Sequence, residues 1–152
     1  MNITAFELAQ RFVGLKEVPG AGTNAAVLAM LQLDAGSSIK DDATPWCSAF
    51  VNYVAWLLRL PRSKSLSARS WLTVGRPIAI HEARAAFDIV ILKRGGASEP
   101  GPDVLAAPGH VGFFASRQEH VYLLGGNQGD SVSIAPFAPA SVLGVRRLYE
   151  EV

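Results

Sequence analysis

The period of the apolar residues changes half-way along this chain, and that change decides which folds are open to it. Before Pro61 the apolar positions recur at three and four residues. Phe6, Leu8, Ala9, Phe12 and Val13 mark a helix over 4–13 that Gly14 stops, and Val27, Leu28, Met30, Leu31 and Leu33 mark a second over 24–33. Phe50, Val51, Val54, Leu57 and Leu58 mark a third that starts beside Cys47 and runs to about Leu60, where Pro61 ends it. Residues 67–72 carry a shorter helical signal. The second half consists of short runs rich in β-branched and aromatic residues, at 89–92, 110–114, 121–124, 132–134 and 142–148, separated by Gly, Pro and Asp. Helices first and strands afterwards predict an α+β domain, with the N-terminal helices packed on one face of a mostly antiparallel sheet.

The 152 residues suit one domain spanning 1–152, and 49% of them are hydrophobic, enough to bury a core. No internal repeat or long linker divides the chain. Lys and Arg number 14 against 13 Asp and Glu, so no large basic field is available for nucleic acid. No basic stretch followed by a long apolar run opens the chain, so neither a secretory signal nor membrane insertion is expected. With a single cysteine, no intrachain disulfide forms and the thiol is free for chemistry.

That cysteine lies in Thr44-Pro45-Trp46-Cys47-Ser48-Ala49-Phe50, at the start of the third helix. Unpaired N–H groups in a first helical turn favour a thiolate, and a neighbouring imidazole favours it further, so Cys47 reads as a nucleophile with a lowered pKa. Of the three histidines, His81 and His120 sit in polar surroundings, whereas His110 follows a Pro108-Gly109 turn and opens an apolar strand. His110 is therefore the expected base. A Cys/His pair is usually completed by a group that fixes the imidazole tautomer. Asn127, in Gly125-Gly126-Asn127-Gln128-Gly129-Asp130, is the first choice because a hairpin would return it beside His110, with Gln128 and Asp130 as substitutes. Trp46 offers an apolar wall for substrate, Gln128 a polar contact, and Asp42, beside Asp41, a partner for a free amine.

Trp46-Cys47-Ser48-Ala49-Phe50-Val51, Gly109-His110-Val111-Gly112-Phe113 and Gly125-Gly126-Asn127-Gln128 together resemble the NlpC/P60 and CHAP superfamily of papain-like peptidoglycan hydrolases, in particular small single-domain phage and bacterial members. Residues 14–20, 67–72 and 88–91 extend the likeness over most of the chain. The resemblance implies a papain-like core, with Cys47 as nucleophile, His110 as base and the polar residue at Asn127 as orienting group. It further implies hydrolysis of an amide in the peptidoglycan stem peptide by an endopeptidase or N-acetylmuramoyl-L-alanine amidase, in a monomer that needs no metal or cofactor. A phage endolysin, or a lytic protein delivered by a secretion system, would reach the periplasm or cell wall without its own signal. Where relatives have Gly-Asp before the central strand, this chain has Phe87-Asp88. The alternatives are acyl transfer or deamidation on the same scaffold, and a non-enzymatic phage structural or binding module.

Overall fold

The computed structural model describes residues 2–18, 22–40, 44–95 and 98–150. Helix α1 (Ala5–Gln10) starts at a capping box, in which the Thr4 hydroxyl accepts from the Glu7 N–H at 3.1 Å and the Glu7 carboxylate accepts from the Thr4 N–H at 2.7 Å. Helix α2 (Ala25–Ala35) is capped by Asn24, whose side-chain oxygen accepts from the N–H groups of Ala26 and Val27. Helix α3 (Cys47–Leu57) is buried along nearly all its length. It stops short of the Pro61 boundary for a local reason. Arg59 adopts a left-handed conformation, and the N–H groups of Arg59 and Leu60 return to the carbonyls of Trp56 and Ala55, closing a Schellman cap.

Six strands follow: β1 (Arg76–Ile78), β2 (Asp88–Lys93), β3 (Gly109–Arg117), β4 (Val121–Gln128), β5 (Ser131–Phe137) and β6 (Val142–Arg147). They form one antiparallel sheet in the order β1-β6-β2-β3-β4-β5. The expected α+β layout is present. Strand β1 carries no sequence signal, because it has three residues with Pro77 at its centre, and proline is tolerated there only because the strand lies at the sheet edge.

Both faces of the sheet are covered, which explains the unbroken apolar run of β2. Ile89, Ile91, Val111, Phe113 and Leu124 pack under the helices, with Phe50 edge-on to Phe12 and Phe113. Val90, Leu92, Phe114, Leu123 and Val145 form a second cluster on the opposite face, covered by Ile78, Ile80 and Phe137. At the far end of β2, Asp88 receives a two-pronged ion pair from Arg147, both bonds 2.8 Å, and the N–H of Arg84 as well. Asp88 thus holds β6 and the preceding turn to the central strand, while Phe87, the residue that departs, is buried with its ring 4.9 Å from that of Tyr149.

Candidate active site

The chemistry-bearing residues gather where the start of β3 meets the first turn of α3. The Cys47 side chain lies almost wholly buried beneath that turn, with the backbone N–H groups of Val111, the residue after His110, and of Ser48 and Cys47 itself near enough to favour a charged sulfur. These donors and the nearby Arg94 favour the thiolate, yet burial outweighs them and pushes the thiol above its ordinary pKa. The expectation of a thiol lowered by its helix start is corrected: the helix N–H groups do face the sulfur, but in a site too dry to hold its charge at rest.

His110 is also buried, stacked on Phe137 with ring centroids 5.1 Å apart. Burial pulls its pKa below the usual imidazole value, partly countered by a hydrogen bond to Gln128, while Arg94 pulls it further down. The contact runs from His110 Nε2 to Gln128 Oε1 at 2.9 Å. Its direction follows from the other end of the amide. Gln128 Nε2 donates to the carbonyls of Leu123 at 3.2 Å and Ser133 at 2.8 Å, so its oxygen faces the ring and accepts a proton carried on Nε2. The neutral imidazole then keeps a free lone pair on Nδ1, as a general base requires.

The group beside His110 is therefore Gln128, not Asn127. The reason is a bulge in β4. Gly125 pairs with Ser133 and Gln128 with Ser131, so three steps on β4 oppose two on β5. Asn127 takes the extra position with φ +58°, and strand alternation inverts after it. A regular strand would have put Asn127 on the face of Gly125, which is the face of His110. The bulge gives that place to Gln128 and leaves Asn127 lining the mouth of the same opening.

The paired glycines are strand residues rather than turn residues, and both are places of close approach. A Cβ on Gly125 would stand 2.5 Å from Gln128 Oε1, and one on Gly126 would stand 2.7 Å from two Trp46 ring carbons. Trp46 is itself fully buried, and its indole N–H donates to Glu17 Oε1 at 2.6 Å. It packs beneath β4 and offers no wall to substrate, contrary to expectation. Asp42 and Asp41 lie outside the described residues. Glu17 is held in turn by a segment that pairs with the start of β5, through bonds from the Glu17 N–H to Asp130 O and between Leu15 and Val132. Asp130 thus serves the hairpin.

Two arginines outside the expected site residues also bear on the site. Arg69, from the 3-10 helix Ala68–Thr73, is fully buried and donates to the carbonyls of Pro100, Gly101, Val104 and Pro108, fastening the segment that leads into β3. Two residues on, Trp71 donates to Ser48 Oγ at 3.0 Å and so braces the first turn of α3. Arg94 follows β2 and is exposed at the rim shared by two openings, one of about 210 Å³ at Cys47 and one of about 490 Å³ at His110. The only advance sign of it was a basic pair, Lys93-Arg94, at the end of an aliphatic run. Among the described residues no cluster of His, Cys, Asp and Glu could hold a metal, and no helix is long and apolar enough to cross a membrane.

A solved structure of NlpC1 from Trichomonas vaginalis has the same architecture, with a TM-score of 0.58 and 17% identity, over 97% of this chain and 44% of that one. The fold is NlpC-like. This chain thus spans less than half the length of that protein. No protein-family model and no curated protein matches the sequence.

Proposed function

We propose that the protein is a cysteine hydrolase that cuts an amide bond in the peptide stem of peptidoglycan, as an endopeptidase or an N-acetylmuramoyl-L-alanine amidase, in the setting of a phage endolysin or related lytic protein. The observation that carries this reading is the oriented imidazole. Gln128 holds His110 in the tautomer with a free Nδ1, at the residue next to the N–H that meets the Cys47 sulfur. The tautomer so fixed leaves Nδ1 with the lone pair that a general base uses to take a proton. The choice of peptidoglycan rests on the likeness of the three motifs to NlpC/P60 hydrolases, which the NlpC-like fold supports.

The resting pair is neutral on both sides, since burial raises Cys47 and lowers His110. Attack is accordingly general-base catalysed. His110 takes the thiol proton as sulfur adds to the scissile carbonyl, and the imidazolium then gives that proton to the departing amine. The acyl-enzyme is released by water, which His110 deprotonates in the second half of the cycle. The first-turn N–H groups that meet the sulfur are also placed to stabilise negative charge as it develops.

The test is digestion of purified peptidoglycan, with mass spectrometry of the released muropeptides to identify the cut bond. Cys47→Ala is expected to abolish release while melting close to the parent protein. Release that survives this substitution overturns the mechanism. Transfer of the acyl group to an added amine without hydrolysis assigns the scaffold to acyl transfer instead.

A further inference from the structure

The two openings differ in what each would receive. If Cys47 attacks the carbonyl and His110 protonates the amine, the acyl half of the substrate lies against Cys47 and the leaving half lies in the larger opening at His110. That opening is walled by Phe137 and Pro136, has the Asn127 and Gln128 amides within it, and is rimmed by Lys93 and Arg94. Neither opening has an aspartate or glutamate among its described lining residues. Arg94 makes no side-chain hydrogen bond or ion pair with another described residue, as is true of Arg11, Arg59, Arg84 and Arg117, and differs from those four in lining both openings. A guanidinium that stands unpaired at the mouth of a cleft beside an ammonium is suited to a planar anion, which it can grip by two parallel N–H bonds.

We propose that Arg94, assisted by Lys93, forms a carboxylate-binding subsite on the leaving-group side, so that the preferred substrate carries a free carboxylate on the amine half of the scissile amide. This rests on the hydrolase reading above and narrows its substrate class. The apolar wall of Phe137 and Pro136 takes the aliphatic part of the leaving residue, and the cations take its acid group. Carboxamide-modified stems, in which that acid is masked, would be poor substrates.

The experiment uses the full chain carrying Cys47→Ala, titrated calorimetrically with a stem tripeptide whose carboxylates are free and with the same tripeptide fully converted to carboxamides. The free-acid peptide should bind at least about tenfold more tightly. In the Arg94→Gln background that preference should shrink to about twofold or less, and Arg94→Lys should keep part of it. Equal affinity for the two peptides, failure of both to bind, or a preference that Arg94→Gln leaves intact would overturn the subsite. Turnover of longer matched stems by the parent enzyme separates the two readings. Cleavage that ignores the carboxylate sinks the subsite and leaves the hydrolase standing. Arg94-dependent binding without cleavage does the reverse.

Discussion

Replacing Gly126 by alanine tests the packing that places Cys47. A methyl group there would stand 2.7 Å from Trp46 Cε3 and Cζ3 and 2.8 Å from Phe50 Cβ. None of these atoms is the loose end of a side chain. The Trp46 ring is fully buried and pinned at its N–H by Glu17 Oε1, and Phe50 Cβ belongs to the first turn of α3. Overpacking of this kind costs about 1–3 kcal/mol, and three simultaneous close contacts place Gly126→Ala at the upper end. The lost freedom of the unfolded chain returns about 0.4–1 kcal/mol. The net loss is about 2 kcal/mol, which for a domain of this size lowers Tm by about 4–8 °C. Gly101→Ala is the matched control, since a Cβ there meets nothing within 4 Å and its φ is not in the left-handed region. Calorimetry on the three proteins decides the matter. A Gly126→Ala variant that melts within about 1 °C of the parent would show that Trp46 is not held as described, since a net loss of about 2 kcal/mol exceeds that shift several-fold.

Gln128→Met removes the acceptor for His110 Nε2 and should lower kcat on peptidoglycan by about 10²-fold with KM nearly unchanged, the low end of what general-base catalysis supplies. Because the Gln128 hydrogen bond raises the His110 pKa, the acid limb of the pH–rate profile should also move to lower pH in this variant, which a merely structural defect would not cause. In the parent protein burial lowers the folded pKa of His110, so the acid limb should lie below the ordinary imidazole value of about 6.5, and activity should fall as pH drops through the shifted pKa. Stability carries the same sign: below about pH 6.5 the unfolded chain binds a proton that the folded site resists, and His110→Phe should flatten that part of the urea-midpoint profile. Alkylation of Cys47 by iodoacetamide should be slower at pH 7 than that of a free thiol and still rising above pH 9, because its thiol is raised. Asp88→Ala should cost about 1–3 kcal/mol in denaturant melts, since Arg147 loses its two-pronged partner but keeps Glu150 and the Glu82 carbonyl.

Local patterning was enough to reveal the layout. The apolar spacing of α1, α2 and α3 and the β-branched runs of β2 to β6 are signals carried within a few residues, and each produced its element within a turn or so of the expected bounds. Strand β1 was invisible because a three-residue strand around Pro77 exists only by virtue of its partner β6. The placement of Cys47 at a helix start and of His110 at a strand start was legible for the same local reason.

What surrounds those two residues belongs to tertiary structure. The choice of Gln128 over Asn127 turns on a single-residue bulge, which inverts the sheet face without leaving a distinctive pattern in Gly-Gly-Asn-Gln. The pKa of Cys47 turns on a contest between helix N–H groups, which a sequence shows, and desolvation, which it does not. Trp46 became a core residue because Glu17, 29 positions away, reaches its indole, and Arg94 emerged only when the ends of β2 and β3 set it between two openings. The sequence by itself determined the three helices and the longer strands and named the thiol and the imidazole, because periodicity and punctuation act over neighbouring residues. Only the folded chain decided which amide faces the histidine, how dry the thiol is and where Arg94 stands, because register, burial and long-range contacts do not exist until the sheet has closed against the helices.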